Sequence, residues 1–170
     1  GFSHLTEEWC RTMADAKALV GETCYAIDRT YSLRADEAFE SCGSEGHLAV
    51  LQTEAEVDAL VSVCNTFAIR CIVALYQDAH ATSVGEGWHW MYPDGTRVAL
   101  NSSLWAEGYP HDGSWTVGED GEKSHGFVWP SYDGVIPGGI IQSTAPHHPV
   151  CQFPSRRGRS TASKKLSSTS

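Results

Sequence analysis

Apolar residues recur at helical spacing in two stretches of the chain. Ala35, Ala38, Phe39 and Cys42 fall at i, i+3, i+4 and i+7, so one stripe of a helix over this stretch faces a core and ends on a cysteine. Ser32 is the expected N-cap, and Asp36 and Glu37 stand in the first turn, where the helix dipole favours acids. Gly43 and Gly46 follow, as a C-cap region does. The second stretch opens with a capping box, Thr53 and Glu56. Val57, Leu60, Val61 and Cys64 then repeat the spacing. Each helix is expected to deliver a cysteine from its buried face near its C-terminal end.

The remaining pattern predicts strands and loops. Residues 17–20 and 23–28, on either side of Gly21-Glu22, read as a hairpin. Residues 69–75 form a short apolar run suited to a buried strand. Trp88-His89-Trp90-Met91 precedes the turn signature Pro93-Asp94-Gly95. Residues 106–146 are rich in Gly, Pro, Ser, His and Asp, interrupted by Gly126-Phe127-Val128-Trp129 and Gly139-Ile140-Ile141. So long a stretch without periodicity points to a binding loop or to elements the pattern does not reveal. Val150-Cys151-Gln152-Phe153 reads as a last strand.

Composition narrows the class. With 170 residues, 41% hydrophobic and 19% charged, the chain suits one packed domain rather than a disordered segment. No apolar run approaches the roughly 20 residues of a membrane-spanning helix. The chain begins at Gly1 without a basic-then-apolar leader, so any signal peptide is expected to have been removed or to lie outside this sequence. Six cysteines, none in a C-x-x-C pair, read as three disulfides formed in an oxidising compartment.

Charge is distributed unevenly. Residues 155–170 hold five of the twelve cationic residues and no acid, which leaves seven cations against all twenty-one acids upstream, a net −14 for residues 1–154. So acidic a body repels phosphate backbones, which argues against nucleic acid as a partner. The domain is therefore expected over 1–154, with 155–170 a flexible, basic, Ser/Thr-rich tail or linker. Its Arg-rich stretch could also meet sulfated sugars, anionic lipid or a processing protease.

The order of these landmarks resembles the C-type lectin-like domain over roughly residues 10–153. The resemblance rests on Cys24-Tyr25, then Ala38 and Cys42 on one helix face, then Gly46-His47-Leu48-Ala49. It continues with Ile72-Val73-Ala74-Leu75 followed by Asp78, Gly87-Trp88-His89-Trp90, and Asp94-Gly95. Trp105-Ala106-Glu107-Gly108-Tyr109-Pro110 and the closing Val150-Cys151-Gln152-Phe153 complete it. The fold it implies is α+β, with two helices flanking small antiparallel sheets and a long irregular loop region.

Six cysteines alone allow fifteen pairings. The resemblance implies Cys42 with Cys151, and Cys10 with Cys24 as the N-terminal hairpin bridge of the long form. Cys64 and Cys71 are left to each other. The family's further bridge in the long-loop region has no counterpart, since Gly121 and Ser143 stand where its cysteines would.

Sugar-binding members of that family chelate Ca²⁺ through loop carboxylates and amides, and the sugar's hydroxyls complete the shell. A hard cation of this kind needs several oxygen ligands. Here Tyr109-Pro110-His111 and Gly138-Gly139-Ile140 occupy the two triplets that should carry those oxygens. Only Glu119 survives of five expected side-chain ligands, although Asp112, Asp120 and Asp133 could substitute. The expectation is therefore no cofactor, with calcium through rearranged ligands as the alternative.

The loop instead carries Tyr109, His111, Trp115, His125, Trp129 and Tyr132. Aromatic side chains of this kind dominate protein hot spots and stack on sugar rings. Glu107, Tyr109, His111, Asp112, Trp115 and Glu119 are the candidate ligand-binding residues, with 109–120 as the recognition surface. Trp88, Trp90 and Trp105 are expected in the core. His147 and His148 are adjacent and, on a strand, point to opposite faces. His111, His125 and Asp112 could form a zinc site in principle, but surface or hydrogen-bonded histidines are the expectation. Asn101-Ser102-Ser103 is an N-glycosylation acceptor.

No nucleophile motif or recognisable catalytic triad is present, so an enzyme is not expected. These readings converge on a secreted or cell-surface module, one piece of a longer or processed protein, that binds an extracellular protein or glycan. A structural role in an extracellular assembly, with loops meeting neighbouring subunits, is the remaining alternative.

Overall fold

A computed structural model of the chain describes residues 4–30, 32–33, 35–110, 125–138 and 147–155. The first element is a helix the pattern did not predict, α1 (Glu7–Thr12). Thr6 caps it by accepting the Trp9 N–H at 3.0 Å, Glu7 and Glu8 occupy its first turn, and Cys10 is its buried residue. At six residues it shows too little apolar periodicity to stand out, yet its cap chemistry is ordinary.

Strands β1 (Ala16–Val20) and β2 (Thr23–Ile27) form the expected hairpin. Gly21 takes φ +60° at the turn, a conformation that favours glycine. The next helix, α2 (Ala35–Ala38), is shorter than the pattern predicted. It starts at Ala35, so Ser32 is not the residue preceding it. The Ser32 hydroxyl instead accepts the backbone N–H of His147 at 3.2 Å. The buried stripe nevertheless persists beyond the helix: Ala38 and Cys42 are buried and Phe39 packs on the core. Tertiary contacts hold these residues in turns where helical hydrogen bonding stops.

After β3 (His47–Leu48) comes α3 (Glu54–Thr66), capped as expected by the reciprocal Thr53–Glu56 box. Glu56 does more than cap. Its buried carboxylate accepts the Tyr25 hydroxyl at 2.7 Å and the N–H groups of Gln52 and Thr53 at 2.9 and 3.0 Å. One side chain thus ties the helix start to β2. Glu56→Ala is expected to lower stability by about 3 kcal/mol, because it strands the buried Tyr25 hydroxyl and removes the capping box at once. Chemical denaturation measures this, and a loss below about 1 kcal/mol would show the network to be dispensable.

The remaining strands are β4 (Arg70–Gln77), β5 (Trp88–Met91), β6 (Arg97–Ala99), β7 (His125–Val128), β8 (Val135–Gly138) and β9 (His147–Phe153). Their order runs β1-β2-β9-β4-β5-β6, with β3 paired to β9 and the β7–β8 hairpin added through β7 to β4. The central β9 runs parallel to β4 over its first residues and antiparallel to β2 over its last. Its side chains are buried throughout, as are those of β4 beyond Arg70.

Three disulfides fasten this frame: Cys10–Cys24, Cys42–Cys151 and Cys64–Cys71. They join α1 to β2, the turn after α2 to β9, and α3 to β4. Trp88 and Trp90 are buried, and Trp105 packs edge-to-face on Trp88 at 5.2 Å. Among the described residues, no helix is long and apolar enough to cross a membrane.

Candidate recognition face

Two chain segments meet where β6 leaves the sheet and where the β7–β8 hairpin turns. The first follows a single 3-10 turn (Ser102–Leu104) and runs through Trp105 to Pro110. The second runs from Trp129 to Val135. They are stitched by backbone bonds. Ala106 N–H donates to Val135 O at 2.8 Å, and Trp105 bridges Val135. The Glu107 N–H donates to Asp133 Oδ1 at 2.9 Å.

Gly134 makes this approach possible. A Cβ there would lie 2.6 Å from Leu104 O and 2.7 Å from Ala106 N, so only a residue without a side chain admits the neighbouring backbone. Buried Leu104, Ala106 and Val135 anchor both segments to the core.

What the stitched pair presents is aromatic and acidic. Tyr109 and Tyr132 stand edge-to-face, centroids 5.5 Å apart, both half-buried. A hydrogen bond to Tyr132 holds the Tyr109 phenol proton and raises its pKa. Glu107 and Asp133 flank them, both exposed. The Tyr109–Pro110 peptide is cis.

The loop between β4 and β5 borders the same edge. Gln77 donates from its side-chain amide to Ser83 O and Glu86 O, each at 2.9 Å, and the Trp88 indole donates to Val84 O at 2.6 Å. These buried donors hold a loop whose Gly85 faces the Pro110 ring, with an added Cβ lying 3.8 Å from it.

Of the residues singled out from the sequence, the structure brings Glu107 and Tyr109 together with Tyr132 and Asp133. His111, Asp112, Trp115 and Glu119 lie outside the described residues. His125 does not belong to an exposed loop: it is buried in β7, its ring 5.1 Å from that of Tyr76. Trp129 packs on the core beneath the Arg70 guanidinium, which sits 4.4 Å from its ring centroid. Both belong to the scaffold. The sequence pattern does not single out Gly134 or Gln77, although Asp133-Gly134 is itself a turn signature.

Of the positions where the resemblance places calcium ligands, only Tyr109, Pro110 and Gly138 are among the described residues, and none carries a carboxylate or amide side chain. Strand β8 consists of Val135, Ile136, Pro137 and Gly138, none with a side-chain oxygen. Asp133 already spends one carboxylate oxygen on the Glu107 amide. Among the described residues, no three His, Cys, Asp or Glu side chains are grouped to hold a metal.

No protein-family model and no curated protein matches the sequence. Solved structures match well in shape. The C-type lectin CEL-I from Cucumaria echinata superposes with a TM-score of 0.54 at 18% identity, over 85% of this chain and 99% of that one. The C-type lectin domain of murine dendritic cell inhibitory receptor 2, in complex with N-glycan, gives 0.56 at 22% identity, over 85% and 100%. The carbohydrate-recognition domain of the mouse scavenger receptor C-type lectin gives 0.55 at 16% identity, over 84% and 98%. The chain has the C-type lectin-like fold.

Proposed function

We propose that this C-type lectin-like chain is an extracellular, non-catalytic recognition module that meets a protein or glycan partner directly, without the family's usual bridging calcium. The observation that carries this reading is the stitched face of Glu107, Tyr109, Tyr132 and Asp133. Rigid aromatic rings give large contact area at small entropic loss, and flanking carboxylates supply hydrogen-bond acceptors and orientation. His111, Asp112, Trp115 and Glu119 would extend the same surface. The oxygen-poor β8 strand supports the calcium-free form of the reading, since Ca²⁺ takes six to eight oxygen ligands. The three disulfides support an oxidising, extracellular setting. The domain of 1–154 would act as the recognising unit, with 155–170 as its linker.

One neighbouring structure holds an N-glycan, so an immobilised glycan panel and a panel of extracellular proteins are the first probes. Binding is expected to persist in EDTA, and Tyr109→Ala to weaken it at least tenfold, as loss of a hot-spot aromatic does. Binding that vanishes with EDTA and returns with calcium would replace this reading with a calcium-dependent lectin. A stable homo-oligomer that binds neither panel would favour a structural subunit.

A further inference from the structure

We infer that Asn101 carries an N-linked glycan, a modification independent of what the recognition face binds. The sequence contains two asparagines, and only Asn101, followed by Ser102-Ser103, stands in an N-x-Ser/Thr acceptor; Asn65 is followed by Thr66-Phe67. The structure adds three observations. Asn101, Ser102 and Ser103 are all exposed. Asn101 caps the 3-10 turn, its Oδ1 accepting the Ser103 N–H at 3.0 Å. Its Nδ2 makes no hydrogen bond to a described residue.

These facts separate the two ends of one amide. The oxygen serves the fold and the nitrogen is left for chemistry. In the transfer, Nδ2 attacks C1 of an oligosaccharide carried on a polyprenyl diphosphate. The C1–N bond forms, the C1–O bond to the diphosphate breaks with its electron pair, and the nitrogen gives up one proton. The product is still an amide, so Oδ1 keeps its lone pairs and the cap survives modification. Buried Leu104 immediately downstream holds the turn to the core, so the sugar projects from an anchored segment. The same compartment that oxidises three cysteine pairs is, in a eukaryotic cell, the one where this transfer occurs.

The test is secretion of the full chain from a eukaryotic host, followed by peptide-N-glycosidase treatment and mass analysis. Wild type is expected to lose mass on treatment, with Asn101 appearing as aspartate in the peptide map and Asn65 unchanged. Ser103→Ala removes the acceptor hydroxyl but keeps the backbone N–H that Asn101 caps. It is expected to be secreted with three intact disulfides and to show no glycosidase shift, whereas Ser103→Thr retains the shift. A secreted wild-type chain of unshifted mass, or a shift surviving in Ser103→Ala, would overturn the inference.

Discussion

Replacing Cys42 and Cys151 together by alanine is expected to remove about 3–5 kcal/mol of stability, a large share of the roughly 5–15 kcal/mol by which domains are stable. The pair spans 109 residues of sequence, so in the unfolded chain it closes the longest of the three loops. Loop-closure entropy grows with the logarithm of that length. Cys10–Cys24, separated by 14 residues, should then matter by about 3 kcal/mol, and Cys64–Cys71, separated by 7, by about 2 kcal/mol. The native state adds a second reason for the ranking. Cys151 lies in β9, the strand that pairs with β2, β3 and β4 at once, so losing its tether loosens the centre of the sheet. Urea titration of the three double variants, followed by tryptophan emission, measures the order. Equal midpoints would mean that strain or residual unfolded structure governs these bonds instead of loop length.

How far the sequence betrayed this frame depends on where local and tertiary signals agree. In α3 they agree: the Thr53–Glu56 box, the Val57–Leu60–Cys64 stripe and the burial of all three apolar residues coincide. In α2 they part. The stripe at Ala38, Phe39 and Cys42 is buried, but hydrogen bonding stops at Ala38 and Ser32 turns to His147, over a hundred residues away in sequence. Periodicity reports which residues face the core, and it cannot report whether the backbone between them stays helical. The disulfide partners became legible only through family resemblance, because spacing leaves every pairing open.

The candidate recognition face was half visible. Tyr109 and Glu107 stood out as aromatic and acidic residues in a Gly-rich stretch. Tyr132 and Asp133, which meet them, stand more than twenty residues further along the chain, and His125 and Trp129 looked like loop residues for the same compositional reason. His125 is buried and Trp129 packs on the core because Gly126 lets β7 press onto β4, where an added Cβ would lie 2.3 Å from the Leu75 side chain. A glycine inside a strand marks close approach, but nothing in the sequence names the chain that approaches.

The same logic gives a second large effect, at the face itself. Gly134→Ala is expected to part residues 104–106 from 133–135 and to abolish the proposed partner binding together with about 1–3 kcal/mol of stability, the usual range for overpacking. The added methyl would meet Leu104 O at 2.6 Å, Ala106 N at 2.7 Å and Trp105 C at 2.9 Å. All three are backbone atoms, so no side-chain rotation relieves the contact. Separation by even a few tenths of an ångström lengthens the Ala106-to-Val135 and Glu107-to-Asp133 bonds that hold the face together. Gly85→Ala is the matched control: its methyl meets only the Pro110 ring, at an ordinary 3.8 Å. Hydrogen exchange should therefore quicken at the Ala106 and Glu107 amides in the first variant and stay unchanged in the second. Protected amides in Gly134→Ala would mean that the two segments can yield without separating, and Gly134 would then lose its role in setting the spacing of Tyr109 and Tyr132.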